Sequence, residues 1–508
     1  MSKNLKILFV ASEVNPFAKT GGLADVAMAL PKALTRSGHD VRIVMPCYKS
    51  IDREKYEMSY LTDFPVKIGN FTHTCVVREG GLEMKAEKKR PRSRSSVPVY
   101  FIDSYEYFNR DALYGEAGDY PDNARRFGYF CRAALELPKK IGFKPDVIHV
   151  NDWQTGLIPL FLKKFYSEDP VFKGTGSIFT IHNIQYQGVF ELQALVDLDL
   201  TWEYFSPKYL EFFGKINLMK SGIIFSDIVN TVSETYSREI QTTSAGMGLE
   251  GLLATKKNDI FAIVNGIDYD EWNPETDSNI ESRYSVEKVS KKAICKADLQ
   301  KCAGLPQNDV PLIGMVTRLA DQKGLDILAR AMESLMKLDL QFVLLGTGDK
   351  QYIDMFSALS KKHPDKCACF LKFDAFTAPK IYAGSDFFLM PSRFEPCGTG
   401  QLIALKYGTI PIVRATGGLL DTITNFDART HRGNGFSFNE YNETALLKCV
   451  EYALTIFQNR QMWNLLIQNA MSCNYSWDSS ALKYVELYRK AIAKQTPSGA
   501  DSSGALDF

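Results

Sequence analysis

Lys6-Ile7-Leu8-Phe9-Val10-Ala11 is followed by Lys19-Thr20-Gly21-Gly22-Leu23-Ala24-Asp25, and then by Val41-Arg42-Ile43-Val44-Met45. The outer two stretches are near-continuous apolar runs, which suits strands covered on both faces of a parallel sheet. Between them Leu23, Val26, Ala27, Leu30, Ala33 and Leu34 return at helical spacing. Ser37-Gly38-His39 supplies the turn back. Strand, glycine turn, helix and strand in this order make a βαβ unit, the head of a doubly wound domain.

The same grammar recurs further on. Leu312-Ile313-Gly314-Met315-Val316 reads as a strand, Leu325, Leu328, Met332 and Leu335 line a helix face, and Gln341-Phe342-Val343-Leu344-Leu345 is the next strand. Runs at 369–371, 387–390 and 410–413 predict further strands, and 400–407 a helix. Thr20-Gly21-Gly22-Leu23-Ala24-Asp25 is echoed by Thr416-Gly417-Gly418-Leu419-Leu420-Asp421, each after a strand and at the start of a helix. A chain of 508 residues is too long for one hydrophobic core. The expectation is therefore an α/β protein of two doubly wound Rossmann-like domains that face one another. The first spans 1–265, a hinge 266–305 and the second domain 306–475. A helix at 476–494 is expected to pack back on the first domain. The Ser/Gly-rich tail 495–508 holds too few apolar residues to order. The stretch KAEKKRPRSRSS at 85–96 reads as a solvated basic loop, with an anionic partner as the alternative.

Lys plus Arg number 60 and Asp plus Glu 59, a net charge of +1. Such a balance provides no global field for nucleic acid or an anionic membrane, so any anionic ligand must be held by a few placed cations. Ten cysteines lie scattered with no CxxC pair, a free-thiol pattern that suits a reducing cytoplasm. Cys367 and Cys369 share one face of a strand and read as core thiols rather than a metal site. The opening apolar run Ile7–Val10 is too short for a signal segment, and no stretch reaches the ~18 apolar residues of a spanning helix.

The candidate chemistry sits where strands end. Lys19 and the glycines after it place a cation beside a helix N-terminus, where backbone N–H groups favour anions; a tight turn with an exposed lysine is the alternative. Arg318 and Lys323 bracket the turn after the strand 312–316, the end at which doubly wound folds hold ligands. Two cations there suit a diphosphate leaving group, and a surface pair is the alternative. In the loop Pro391-Ser392-Arg393-Phe394-Glu395-Pro396-Cys397-Gly398-Thr399-Gly400, the carboxylate of Glu395 is better suited to sugar hydroxyls than to phosphate. Val147–Trp153 and Ile178–Asn183 end in polar groups, with Asp152 and His182 at the strand tips.

Taken together, the stretches KTGGLADV at 19–26, HVNDWQTGL at 149–157, TIHNIQYQG at 180–188, NGIDYDEWNPETD at 265–277, RLADQKGLD at 318–326, LGTGD at 345–349, SRFEPCGTGQL at 392–402 and YGTIPIVRATGGLLDT at 407–422 closely resemble glycosyltransferase family five, the bacterial glycogen synthases and plant starch synthases. The resemblance runs from Lys6 to about Tyr488. It implies a GT-B fold with the donor between two domains, and transfer of glucose from ADP-glucose, rather than UDP-glucose, to the non-reducing end of an α-1,4-glucan such as glycogen, with retention. It implies no metal and no cofactor, and a cytoplasmic enzyme. By the same resemblance Arg318 and Lys323 hold the diphosphate, Glu395 the transferred glucose, and Asp152 and His182 lie near the reacting carbon. Lys19, Gly21, Gly22, Asp25, Asn265, Phe373, Cys397, Gly398 and Thr399 line the donor, with Tyr114 and Asn183 in contact with substrate. Phe373 stands where relatives have a tyrosine on the nucleobase, and Thr399 where they often have leucine. The mechanism implied is front-face, with the departing diphosphate helping to deprotonate the acceptor.

Three other functions stay in view: a retaining transferase with a different acceptor such as a small sugar, decided by residues 180–250, where GVFELQAL at 188–195 fits the synthase pattern; a phosphorylase, for which no pyridoxal-lysine motif is evident; and a non-catalytic carbohydrate-binding or scaffold protein, which would be expected to lose Arg318, Lys323 or Glu395.

Overall fold

The computed structural model describes residues 4–84, 96–116, 118–372 and 374–495. The basic run 85–95, the tail 496–508 and Phe373, on all of which expectations were placed, lie outside the described residues. The chain divides into two compact units, one of Met1–Val232, Glu239–Ile263 and Trp477–Phe508, the other of Ser233–Arg238 and Val264–Ser476.

In the first unit the strands are β1 (Lys6–Val10), β2 (Asp40–Pro46), β3 (Ser59–Ile68), β4 (Phe71–Glu83), β5 (Ser96–Asp103), β6 (Val147–Asn151), β7 (Gly176–Ile181), β8 (Val189–Phe190), β9 (Glu211–Phe212), β10 (Lys215–Asn217), β11 (Ile228–Thr231) and β12 (Ile260–Ala262). Nine form one sheet in the order β12-β11-β7-β6-β1-β2-β5-β4-β3, and β8, β10 and β9 form a small second one. The large sheet is parallel from β12 to β5. The antiparallel strands β4 and β3 then extend it, a feature the sequence reading did not anticipate. In β3 the residues Phe64, Val66 and Ile68 are buried in alternation, so that one face alone is covered. The helix Gly22–Arg36 follows β1 and buries Leu23, Val26, Ala27, Leu30, Ala33 and Leu34.

The helix Trp477–Ala493 belongs to this unit and is fastened by polar contacts as well as apolar ones. His149 Nδ1 and Tyr488 Oη lie 2.9 Å apart, Asn230 Nδ2 donates to Tyr484 Oη at 3.2 Å, and Lys494 Nζ donates to the Asp227 carbonyl at 2.8 Å. His149 and Asn230 are buried, and such pairing is what makes buried polar groups tolerable.

The second unit holds β13 (Leu312–Val316), β14 (Gln341–Leu345), β15 (Cys367–Phe370), β16 (Phe387–Met390), β17 (Ile410–Arg414) and β18 (Phe436–Phe438), in the order β15-β14-β13-β16-β17-β18 and all parallel. The stretch 266–305, expected to be a hinge, is instead part of this unit's body. Ile267, Ile280, Tyr284 and Cys295 share a core with Tyr382 and Tyr407, while Leu299 and Leu305 pack with Leu312 and Ile381. Lys292 is buried there, with its ammonium on the carbonyls of Tyr382 and Ala383 and on Thr409 Oγ1. The apolar content of this stretch is sufficient to bury it, which the scatter of charged residues had obscured. Cys367 and Cys369 share one face with their sulfurs 3.9 Å apart. Among the described residues no three His, Cys, Asp or Glu side chains gather as a metal site, and no helix is long and apolar enough to cross a membrane.

The parallel part of each sheet has one point where the order of connection reverses. In the first it falls between β1 and β6, in the second between β13 and β16. The crevice beyond the carboxyl ends of strands at such a point is where doubly wound sheets take their ligands.

Candidate active site

At the first switch point β1 runs out into Ser12 and Glu13. The Glu13 carboxylate accepts the backbone N–H groups of Thr20 and Gly21, the Thr20 hydroxyl at 2.6 Å and the Tyr114 hydroxyl at 2.6 Å. The sequence had suggested that the N–H groups at this helix start point at a ligand, but two of them are held by Glu13. Tyr114 is likewise turned to Glu13 and to Ser12 Oγ at 2.9 Å. Burial, reinforced by the Glu13 charge, raises the Tyr114 phenol well above its ordinary value, so it stays a hydrogen-bond donor. A Cβ added at Gly21 or Gly22 would meet nothing within 4 Å, and neither residue needs a left-handed backbone. Nothing among the described residues demands glycine at these positions; open space for a molecule to approach the backbone does account for them. Lys19 Nζ pairs with Asp25 Oδ1 at 2.7 Å, with both side chains well exposed. An ion pair of this kind contributes about 0–1 kcal/mol, so Lys19 is free to exchange Asp25 for a bound anion.

Across the same switch point β6 ends at Asn151 and Asp152. Asp152 has φ 55° and ψ −178°, a region that side chains other than glycine enter at a cost of about 1–3 kcal/mol. It is locked there: its N–H donates to the Thr180 carbonyl at 2.9 Å, and its carboxylate accepts the His182 N–H at 2.8 Å. Asp152 keeps part of its surface open to solvent. Even so, the protein packed around the carboxyl raises its pKa to about 7 against the pull of the His182 and Asn183 N–H groups, with Glu13 adding to the rise. Asn151 Nδ2 donates to the Val10 carbonyl at 3.0 Å, which turns its Oδ1 to His182 Nε2 at 2.9 Å. His182 must therefore donate from Nε2, leaving Nδ1 as the acceptor. Burial lowers its pKa to about 3, so the ring is neutral at pH 7. Asn183 follows it and caps its own turn by accepting the Gln185 N–H at 3.0 Å.

At the second switch point β13 leads to Arg318 and the turn Asp321–Lys323, and β16 leads to the loop that carries Glu395. Pairing of β13 with β16 makes the two loops neighbours. Lys323 Nζ lies 2.7 Å from Glu395 Oε2, and Ser392 Oγ donates to the same oxygen at 3.1 Å. Arg393 N donates to the Gln322 carbonyl at 2.8 Å, tying loop to turn. Gly324, at φ 70°, and Gly417, at φ 45°, press on this loop: a Cβ on either would sit about 2 Å from the carbonyl of Pro391 or of Glu395. The echoed TGG motifs thus serve different ends, open in the first unit and packed against the Glu395 loop in the second. The Arg318 side chain is exposed and makes one long hydrogen bond among the described residues, 3.4 Å to Gln322.

Burial pushes the Cys397 thiol up to about 12; a backbone bond from Asn265 opposes this, and Glu395 and Asp421 add to it. Asn265 is buried and its Oδ1 has no hydrogen-bond partner. Gly398, at φ 74°, and Thr399, whose side chain forms no cap, lead into the helix Gly400–Lys406. The structure therefore joins Asp152 to His182, Lys19 to Asp25, and Lys323 to Glu395. It leaves Arg318 outside the Lys323 pair.

The family model described as the starch synthase catalytic domain matches residues 6–255, and that described as glycosyl transferases group 1 matches residues 299–469. A glycogen synthase of Desulforudis audaxviator (strain MP104C) is 49% identical over 497 residues, covering 96% of this chain and 97% of its own. One from Geotalea uraniireducens (strain Rf4) is 48% identical over 500 residues, 97% and 100% of the two chains. The chain belongs to the glycogen synthase family. The solved catalytic domain of starch synthase IV from Arabidopsis thaliana, bound to ADP and acarbose, superposes with a TM-score of 0.87 at 34% identity, covering 97% of this chain and 100% of that one.

As a glycogen synthase family member the chain is a glycosyltransferase of GT-B type, as the resemblance had implied. The sequence reading missed Glu13, Asn151 and Ser392, which orient the groups it did find. Glu13 had a signal: an acidic residue three positions past the end of an apolar strand and six before Lys19. Asn151 had none beyond its place at a strand tip.

Proposed function

We propose that the chain transfers glucose from ADP-glucose to the non-reducing end of an α-1,4-glucan with retention, in the cytoplasm, where its unpaired cysteines stay reduced. One observation carries this reading: the Lys323–Glu395 pair stands at a sheet switch point in a chain 49% identical to a glycogen synthase. Arg318 and Lys323 neutralise the diphosphate as it departs. Its charge grows while the glycosidic bond breaks, so cations aimed there favour the transition state over the bound donor. Glu395 accepts hydroxyl protons of the transferred glucose. Gly21, Gly22 and Lys19, with Asp25, admit the donor against the backbone, and Asn265, Phe373, Cys397, Gly398 and Thr399 complete its surroundings.

His182, neutral and with Nδ1 open as an acceptor, and Asp152 act at the reacting sugar; Asn183 and Tyr114 contact substrate. The departing diphosphate takes the proton of the acceptor hydroxyl as that oxygen attacks from the same face. ADP is favoured over UDP by the likeness to a starch synthase solved with ADP. The test is glycogen-dependent nucleotide release from ADP-glucose and UDP-glucose side by side. Turnover with ADP-glucose at least tenfold faster supports the donor assignment; equal rates or a preference for UDP-glucose reverse it.

A further inference from the structure

Two large apolar side chains in the first unit are exposed and also held in left-handed backbone. Phe213, 81% exposed, has φ 50°, and Met247, 50% exposed, has φ 54°. Each precedes a glycine that is also left-handed, Gly214 at φ 79° and Gly248 at φ 87°. Phe213-Gly214 is the two-residue loop between β9 and β10, with Phe212 and Lys215 paired across it. A hairpin loop with two positive φ values prefers Asn-Gly or Asp-Gly, and a bulky residue in the first position is disfavoured. The Phe213 ring meets Phe212 edge-on with centroids 4.7 Å apart yet stays 81% exposed, so packing alone does not account for a phenylalanine there.

The two turns are built into one surface. A Cβ on Gly248 would lie 2.9 Å from the Phe212 ring and 3.0 Å from the Phe213 ring. Gln187 Nε2 donates to the Met247 carbonyl at 3.1 Å, and Gln187 Oε1 accepts Asn217 Nδ2 at 2.6 Å. The buried Asn217 in turn caps the helix Leu218–Phe225. Beside Gln187 stands Tyr186, 55% exposed, on the segment that continues from His182 and Asn183. Tyr186, Phe213 and Met247 thus ride on a fixed amide network connected to the strand tip that presents His182.

We infer that Tyr186, Phe213 and Met247 form a platform for the outer glucose units of the acceptor glucan, several residues along the chain from the end that is extended. This rests on the proposed transfer to an α-1,4-glucan. The three side chains carry no charge, and the nearby Lys215 is neutralised by Glu191 at 2.6 Å. Lys215 and Glu191 together add no net charge, so nothing in this patch favours an anionic surface or acidic peptide over an uncharged ligand. An uncharged polymer whose sugar rings expose C–H faces between hydroxyl edges finds apolar faces to stack on. Holding exposed apolar residues in strained turns is a cost that a binding surface explains.

Phe213→Asn tests this, because asparagine suits the turn. The variant should fold with an unchanged or higher Tm, which a structural role for Phe213 would not give. Losing one stacked aromatic should weaken retardation of the protein in glycogen-containing native gels about tenfold. The KM for glycogen should rise by a similar factor while kcat moves little, and Met247→Ala should act in the same direction. The KM for maltotriose, too short to reach the platform, should rise much less than that for glycogen. Glycogen affinity within twofold of wild type in both variants would overturn the inference. So would a wild-type dimer in sedimentation that Phe213→Asn splits without loss of glycogen binding. If the wild-type protein transfers no glucose yet loses glycogen retardation on Phe213→Asn, the platform stands and the proposed transfer falls.

Discussion

Lys323 Nζ meets Glu395 Oε2 at 2.7 Å, across loops that follow two adjacent strands of the second sheet. The lysine side chain is 20% exposed and the glutamate 8%. An ammonium has three N–H donors, and Lys323 makes this one side-chain bond among the described residues. Two donors remain for an anion beside the carboxylate.

Removing the ammonium therefore acts on two quantities that can be separated. Lys323→Ala should lower kcat by about 10²–10³, with a smaller change in donor KM, the size seen when a preorganised donor to a developing charge is lost. It also strands a buried carboxylate, which should destabilise the fold by about 1–3 kcal/mol. In Lys323→Ala/Glu395→Gln the Tm should recover while kcat stays low. Arg318→Ala, which breaks only a long contact, should lower kcat and leave Tm unchanged. Steady-state kinetics and thermal denaturation on the four proteins decide this; a Lys323→Ala variant within a few-fold of wild-type kcat contradicts the assigned role.

Asp152 supplies a pH dependence with a defined sign. Its pKa is raised from 3.8 to about 7 in the fold. Between those values the folded chain retains a proton that the unfolded chain gives up, so this group's contribution to stability falls as pH rises and is least above about 7. Asp152→Asn keeps an acceptor for the His182 N–H and removes the ionisation. Its stability advantage over wild type should grow from pH 4 to pH 7 and then level, on the order of 2 kcal/mol after discounting for partial exposure, with Tm following in the same direction. Melting curves at pH 4, 5.5, 7 and 8.5 check it; a constant difference across the series contradicts it.

Much of the fold was legible because buried parallel strands announce themselves: Ile7–Val10 and Leu312–Val316 are apolar runs that end in a glycine-bearing turn and a periodic helix. The antiparallel strands Ser59–Ile68 and Phe71–Glu83 were not, since a strand with one wet face alternates apolar and polar residues and lacks such a run. The segment 266–305 misled because its buried residues, Ile267, Ile280, Tyr284, Cys295 and Leu299, are spread too widely to show a period. At the site, Lys323 and Glu395 were identified from motif positions 72 residues apart, but their contact depends on which strands are neighbours. Glu13 escaped notice because its role is set by Thr20, Gly21 and Tyr114 converging on it, and Tyr114 is 101 residues away.

Cys397 lies two residues from Glu395 but is buried, and its thiol is pushed up to about 12. It should react slowly with thiol reagents in the native protein, because the thiolate is the reactive form. Cys302 is exposed and should be the first to be modified. Alkylation followed by peptide mapping should find Cys302 labelled and Cys397 intact while activity persists. Rapid labelling of Cys397 in the native protein would show that the loop opens to solvent.

Transfer of glucose to a glucan end with retention leaves a signature in its product. Proton NMR of the chains made from ADP-glucose and maltoheptaose reads it, since the coupling of the new anomeric proton reports configuration and its shift reports linkage. The expected products are chains lengthened by α-1,4-linked glucose, with ADP released in equal amount. A β-linked product, free glucose in place of elongation, or no transfer from either ADP-glucose or UDP-glucose would contradict it.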